Sequence, residues 1–263
     1  KENKYDDDIF FQKYSQMSRS QQGLAGAGEW ETLRKLLPDF KDKRVLDLGC
    51  GYGWHCIYAM EHGASSVVGV DISHKMLEVA KEKTHFPQVE YKCCAIEDVE
   101  FPEESFDVIL SSLAFHYVAD YEILVKKIYR ILKSGGKLVF TVEHPVFTAY
   151  GTQDWYYNEK GEILHFPVDN YYYEGKRTAV FLGEKVTKFH RTLTTYLNTL
   201  LSNGFIINHI VEPQPPENMM DIPGMRDEMR RPMMLIVSAN KKVDRLAEVD
   251  NKNYLQLRNN VLV

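Results

Sequence analysis

The chain has 263 residues, of which 44% are hydrophobic and 26% charged, and its formal net charge at pH 7 is −5. That length suits one domain with a sizeable core and an elaboration, and the acidic balance argues against a nucleic-acid-binding protein, which would carry a basic face. No apolar run reaches the roughly 18 residues that a membrane-spanning helix needs, and the first residues contain no signal-peptide core, so we expect a cytoplasmic protein that does not bind membranes.

The first predicted elements are an arm and a helix. Residues 1–28 are polar, with runs of small residues, and predict a loosely structured N-terminal arm. From Glu29 to Leu37 the apolar residues Trp30 and Leu33 recur on one face, and Pro38 ends the segment. This pattern predicts a helix that packs on the body of the protein.

A glycine-rich loop follows, in the segment VLDLGCGYGWH from Val45 to His55. Its apolar start predicts a buried β-strand, and its three alternate glycines let the backbone turn tightly and approach a ligand where a Cβ atom would intrude. Loops of this kind at a helix N-terminus hold either the pyrophosphate of a dinucleotide or the methionine part of S-adenosylmethionine.

Two residues favour the second cofactor, and a third suits either one. Trp54 stands where a dinucleotide fingerprint has its third glycine, so we expect the indole to fill the space that a pyrophosphate needs. Asp47 would repel a pyrophosphate but suits an ammonium or sulfonium group. Asp71 ends a second apolar run, at a distance that suits hydrogen bonds to the ribose hydroxyls of either cofactor. An NAD(P)-dependent oxidoreductase remains the alternative.

With these motifs, the stretch from Lys43 to Phe140 resembles the class I S-adenosylmethionine-dependent methyltransferases, and within them the enzymes of ubiquinone and menaquinone biosynthesis. The resemblance implies an α/β fold with a doubly wound, Rossmann-like sheet of seven strands in the order 3-2-1-4-5-7-6, the last one antiparallel. It also implies S-adenosyl-L-methionine as the methyl donor and S-adenosyl-L-homocysteine as the product. The cofactor-binding core would span 43–142. A cofactor-binding protein without transfer activity stays open.

The same resemblance suggests where the cofactor binds. The arm would be a lid over the cofactor or simply a docked helix, and in the lid the side chains of Tyr14 and Arg19 would face the site. Relatives often carry an acidic residue where Ala95 stands, so here a backbone contact from Ile96 can survive without the side-chain contact. The other expected cofactor-binding residues are Asp47, Gly49, Cys50, Gly51, Asp71, Ile72, Met76 and Ser111. Met76 is as easily explained by core packing, and we expect Glu97 and Asp98 at the surface.

The remaining elements alternate between strands and helices. Strands are predicted at Ser65–Asp71, Val89–Cys93, Ser105–Ser111, Lys137–Val142, Phe205–Val211 and Met233–Ala239. Helices are predicted from Trp54 to His62, from Ser73 onward, at Tyr121–Leu132, and from His190 to Asn203.

Four ionisable residues are candidate general bases, in the order His116, Glu143, His144 and His190. The first three follow strands at the edge where open parallel sheets bind ligands. A base is needed only if the acceptor atom must lose a proton. His116 could instead orient a loop, and Pro145 suggests that His144 belongs to a rigid turn.

An aromatic-rich β insertion is predicted after strand 5, at 144–190. Residues 147–189 hold 11 of the 32 aromatic residues, and the alternation from Gly175 to Lys188 predicts β-hairpins. We expect this segment to cover the binding site of a small-molecule acceptor that is partly aromatic or apolar. The tail at 240–263 is polar, and a homodimer contact through it is left open. The four cysteines lack ligand spacing, so no metal site is expected.

Overall fold

The computed structural model describes residues 1 and 3–243, so most of the predicted tail at 240–263 lies outside the described residues. The described helices are α1 (Asp8–Ser15), α2 (Ser18–Gln22), α3 (Trp30–Arg34), α4 (Trp54–Glu61), α5 (His74–Lys83), α6 (Tyr121–Ile131), α7 (Pro145–Thr148) and α8 (Leu193–Ser202). The described strands are β1 (Arg44–Leu48), β2 (Ser66–Asp71), β3 (Val89–Cys93), β4 (Phe106–Ser112), β5 (Leu132–Glu143), β6 (Tyr156–Tyr157), β7 (Ile163–His165), β8 (Gly175–Phe181), β9 (Glu184–His190), β10 (Phe205–Val211) and β11 (Met234–Lys241).

Seven strands form one sheet in the order β3-β2-β1-β4-β5-β11-β10. Strands β1 to β5 pair in parallel, and β11 pairs antiparallel with both β5 and β10. The predicted strand order and the antiparallel last strand are therefore confirmed. All five parallel strands end at one edge, where such sheets bind ligands.

Both faces of the central strands are buried, because helices cover the sheet on each side. Leu46 and Phe140 pack in one apolar cluster with α6 and α8, whereas their neighbours Val45 and Val139 pack in the other with α3 and α4. Successive residues of a strand point to opposite faces, so an uninterrupted apolar run is the pattern of a strand covered on both sides.

The start of helix α8 differs from the prediction. Helix α8 begins at Leu193, because the side chain of Thr192 caps it by accepting a hydrogen bond from the N–H of Thr195 at 3.1 Å. His190 instead ends β9, where it pairs with Gly175. The expectation that His190 opens the helix is wrong. Strand β5 also starts earlier than expected, at Leu132, and α3 is shorter.

The insertion after β5 contains two antiparallel hairpins, β6–β7 and β8–β9. The β8–β9 hairpin packs against the N-terminal arm, since the fully buried Phe10 of α1 contacts the cluster that holds Ala179 and Val186. The arm and the hairpin thus meet above the ligand-binding edge of the sheet. None of the helices in the described part of the chain has the length and apolar character that crossing a bilayer demands.

Candidate active site

A cavity of about 440 Å³ opens at the carboxyl edge of the sheet. Its volume falls within the roughly 300–1,000 Å³ that is usual for small-molecule sites. One end lies against the loop after β1 and the end of β2, and the other against the β8–β9 hairpin. The arm supplies Tyr14 and Arg19 to its wall. The loop after β1, the end of β2, the β8–β9 hairpin and the arm therefore all line the same cavity.

The loop after β1 forms the first wall. The N–H groups of Gly49 and Cys50 both donate to the carbonyl of Val70, at 2.8 and 2.9 Å, which holds the loop against β2. A Cβ atom on Gly49 would lie 2.4 Å from that of Ala114, so a side chain cannot be accommodated there. A Cβ atom on Gly51 would meet no atom within 4 Å, and Gly51 lines the cavity. Its missing side chain leaves room for a ligand.

Asp71 lies at the end of β2 and lines the same wall. Its Oδ2 atom accepts a hydrogen bond from the N–H of Gly51, and its Oδ1 atom one from the N–H of Ser73, both at 2.9 Å. Burial raises the pKa of Asp71, and these N–H groups oppose that effect. Each carboxylate oxygen keeps a further lone pair, so the carboxylate can also accept from two hydroxyl groups of a ligand.

The next part of the wall is apolar, with one acidic residue at its margin. Ile72, Met76, Ala95 and Ile96 line it, as expected for a flat apolar ring system between β2 and β3. Glu97 lines it too, contrary to the expected surface position, whereas Asp98 is exposed and does not line the cavity, although its ion-pair partner Lys1 does.

The arm is attached beside Asp71. Asp6 accepts hydrogen bonds from the hydroxyl of Ser73 at 2.6 Å and from the N–H of Lys75 at 3.1 Å, so it caps the start of α5. Farther along, Arg19 donates twice to the buried carboxylate of Glu29, at 2.7 and 2.8 Å. These contacts hold the arm over the end of the cavity that contains the glycine loop.

At the other end, a buried polar cluster connects β5 with the insertion. Lys188 lies 2.5 Å from one carboxylate oxygen of Glu143 and donates to the amide oxygen of Gln153 at 2.8 Å. The amide of Gln153 donates to the second oxygen of Glu143 at 2.6 Å. Burial would raise the pKa of Glu143, but the interactions with His116 and Lys188 and the hydrogen bonds from Lys188 and Gln153 outweigh burial and lower that pKa. The carboxyl group of Glu143 is therefore ionised.

His116 lies beside this cluster and is buried at the cavity wall. Its Nδ1 atom accepts a hydrogen bond from the backbone N–H of Glu143 at 3.4 Å. Burial lowers the pKa of His116 to about 4. The ring is neutral at physiological pH.

Comparisons with known proteins identify this arrangement. A methyltransferase domain matches residues 46–140. A protein from Listeria monocytogenes assigned as an S-adenosylmethionine-dependent methyltransferase is 57% identical, and the match covers 84% of this chain and 99% of that one with a TM-score of 0.80. An S-adenosylmethionine-dependent methyltransferase from Mesorhizobium loti is 41% identical, over 83% and 100% of the two chains, with a TM-score of 0.77.

The chain belongs to the S-adenosylmethionine-dependent methyltransferases. It is also 36% identical to a ubiquinone biosynthesis O-methyltransferase from Coxiella burnetii over 112 residues, which are 42% of this chain and about half (47%) of that protein. The resemblance to that branch is thus confirmed over those 112 residues. An oxidoreductase is not favoured.

The cavity of the methyltransferase fits its cofactor. The open space at Gly51 and the spare lone pairs of Asp71 suit the methionine part and the ribose, and the apolar wall after β2 and β3 suits an adenine. The cofactor supplies a methyl group already activated by its positively charged sulfur. The chain's own residues have to bind it, orient it and exclude water.

Three expected cofactor contacts are not made by side chains, since Asp47, Cys50 and Ser111 lie off the cavity wall. The hydroxyl of Ser111 donates to the carbonyl of Leu48 at 2.7 Å and joins β4 to β1. Cys50 packs in the core. Burial raises the pKa of Asp47 to about 7, and its only described partner is the thiol of Cys56 at 3.5 Å. The described contacts of Asp47 are thus on the side of α4, and none of them reaches the cavity from which its charge was expected to select the cofactor.

Trp54 also lies away from the cavity. Its ring packs on Gly23 of the arm, 3.1 Å from where a Cβ atom would be, and the ammonium of Lys83 lies 4.9 Å from the ring centroid. The indole therefore packs against the arm and does not fill a pyrophosphate site. The expected position of Trp54 is wrong, although the cofactor class that it was taken to favour is the one that the comparisons support.

Two of the four candidate bases have both ring nitrogens occupied outside the cavity. In His144, Nδ1 accepts from the N–H of Val146 at 3.1 Å and caps α7, and Nε2 lies 2.8 Å from Glu212. In His190, Nδ1 lies 2.7 Å from the Thr148 hydroxyl, and Nε2 lies 2.8 Å from the carbonyl of Tyr171. Both histidines connect the insertion to neighbouring segments and neither lines the cavity, so no described contact supports their expected role as bases.

Sequence reasoning missed Lys188 and Gln153. The sequence pattern could have indicated Lys188, because it alternates with Val186 and His190 and so shares their buried face of β9. It also left the role of Arg191 open. Arg191 is buried and donates to backbone carbonyl groups in the segment that carries His116, including that of Ala119 at 3.0 Å. These contacts join the segment after β9 to the segment that carries His116, so Arg191 helps to close the insertion over the edge of the sheet.

Replacing Asp71 tests the cofactor end. We expect Asp71→Ala to weaken binding of S-adenosylhomocysteine by at least about 1.5 kcal/mol, more than tenfold in Kd, because charge-assisted hydrogen bonds to the ribose are lost. Isothermal titration calorimetry measures this, with Asp98→Ala as a matched control whose carboxylate lies outside the cavity. Equal affinities in the two variants would remove Asp71 from the site.

Asp47 makes a separate prediction about stability. Because its folded-state pKa of about 7 lies above the unfolded value, the stability it contributes is present below about pH 4 and is lost as the pH rises through 7. The variant Asp47→Asn cannot ionise, so we expect its stability relative to wild type to increase by on the order of 2 kcal/mol between about pH 5 and pH 8. Denaturant unfolding of both proteins at the two pH values checks this. If the stabilities of the two proteins change equally between these pH values, the predicted effect of Asp47 is wrong.

Proposed function

We propose that this methyltransferase transfers a methyl group to a partly aromatic or apolar small molecule by in-line displacement. The observation that carries the proposal is the continuity of the cavity. It runs from Gly51 and Asp71 to the side chains of Phe181, Val186 and Phe189 in the β8–β9 hairpin. A bound donor and an acceptor would share one water-poor space.

The chemistry of the wall supports an acceptor of this kind. The hairpin end is formed mainly by apolar and aromatic side chains, and Met233 and Met234 also line the cavity. Methionine adapts its shape to irregular partners. Holding donor and acceptor collinear and in contact contributes about 7–11 kcal/mol in favourable cases, which is the main task when the methyl group is already activated.

We further propose that the arm acts as a lid over the cofactor. Its Asp6 binds the start of α5 directly beside Asp71, and its Tyr14 and Arg19 line the cavity. Cofactor entry then requires these contacts to open, and their closure excludes water from the sulfonium.

A methyltransferase assay tests the proposed reaction. The purified protein, with S-adenosylmethionine, is incubated with a panel of aromatic phenols, anilines, thiols and carboxylic acids, and S-adenosylhomocysteine release is measured. Turnover with at least one aromatic member is expected. Binding of S-adenosylmethionine without turnover on any member, together with turnover on a protein or nucleic acid, would contradict a small-molecule acceptor.

Lys188 tests the acceptor end. We expect Lys188→Met to leave Glu143 buried without its cation, to lower the free energy of unfolding by about 3–5 kcal/mol and to reduce methyl transfer, while S-adenosylhomocysteine binding changes little. Denaturant unfolding, calorimetry and the transfer assay provide the readouts. The matched control is Lys185→Met, which removes an exposed lysine from the same strand. Identical behaviour of the two variants would contradict the role given to Lys188.

A further inference from the structure

The backbone of β5 holds His116 in one tautomer. The N–H of Glu143 points at Nδ1 of His116, 3.4 Å away. A nitrogen that accepts a hydrogen bond carries no proton, so the neutral ring has its proton on Nε2. Protonation of Nδ1 would place two N–H groups against each other. The geometry therefore disfavours the imidazolium ion independently of burial.

The Nε2 atom faces the cavity. Among the described residues none forms a hydrogen bond with it, and it is not one of the fully buried polar atoms that lack a partner. Nε2 therefore keeps some accessible surface. Because His116 lines the cavity, a bound molecule can reach this atom. This atom is placed to donate a hydrogen bond at the acceptor end.

Four charged or titratable side chains surround the ring from the elements packed on it. Glu143 comes from β5, Lys188 from β9, Arg191 from the segment after β9, and Tyr117 from the adjacent position, with its ring centroid 4.5 Å away. Glu143 is paired with Lys188 at 2.5 Å, and the described hydrogen bonds of Arg191 go to backbone carbonyl groups. Among the described residues around the ring, Arg191 is therefore the cation without a carboxylate partner, and its charge favours a negatively charged atom nearby.

We propose that His116 is a fixed hydrogen-bond donor to an oxygen anion of the methyl acceptor, a phenolate or an enolate, and is not a general base. The inference rests on the proposed function and names its substrate class. Donation from Nε2 stabilises the anionic form, so the acceptor loses its proton to solvent on binding. An electron pair of the anion then forms the bond to the methyl carbon, and the pair of the broken carbon–sulfur bond stays on sulfur.

The tautomer is tested without any acceptor. The full chain, labelled with ¹⁵N-histidine and saturated with S-adenosylhomocysteine, is examined by long-range ¹H–¹⁵N spectra between about pH 5.5 and 8, the range in which an ordinary histidine titrates. The His116 signals are assigned by their loss in His116→Gln. We expect a neutral ring protonated on Nε2 with no titration. A titration in this range, or a proton on Nδ1, would overturn the proposal whether or not the protein transfers methyl groups.

Turnover of phenols separates a donor from a base. The amide of His116→Gln can donate near the position of Nε2 but cannot take up a proton, and His116→Phe keeps an aromatic ring without a donor. We expect the glutamine variant to retain most of kcat/KM for phenol methylation and the phenylalanine variant to lose about tenfold. If kcat/KM falls equally in both variants while they bind S-adenosylhomocysteine as the wild type does, His116 acts as a base and the proposal is wrong. Methylation of amines or thiols but not phenols by the wild type would contradict the acceptor class.

Discussion

The contact between the loop after β1 and the end of β2 is the constraint on which the site depends. Two N–H groups of the loop bind the carbonyl of Val70, and a third, from Gly51, binds the carboxylate of Asp71. The ends of β1 and β2 thereby place a stretch of backbone without side chains and the carboxylate of Asp71 on the same wall of the cavity. Both features border the same part of the cavity, which is why the proposed function assigns them to the same ligand.

Two segments outside the sheet complete the cavity from opposite sides. The arm is fixed by Asp6 on the start of α5, and the hairpin is fixed by the ion pair of Lys188 with Glu143. They meet where Phe10 packs on Ala179. The cofactor end and the acceptor end are thus covered by different parts of the chain. A change in the hairpin can alter acceptor binding while the residues that hold the cofactor keep their positions.

The sheet was predictable from the sequence because its signals are local: apolar runs of strand length, glycines after β1, and helical periodicity between strands. Contacts made by single side chains were less predictable. Asp47 lies on the face of β1 that packs against α4, and Trp54 is the first residue of α4 and packs on the arm, so both side chains point away from the cavity although they flank the glycine loop in the sequence. Lys188 was missed since its partner Glu143 lies 45 positions earlier, and such a pairing leaves no local pattern.

A crystal structure of the full chain with S-adenosylhomocysteine tests the central claim most directly. The account predicts that both ribose hydroxyls bind Asp71, that the methionine part crosses Gly51, and that the sulfur faces the side of the cavity formed by His116 and the β8–β9 hairpin. A nucleoside bound elsewhere, or a sulfur directed away from His116 with no continuous path to the hairpin, would contradict it.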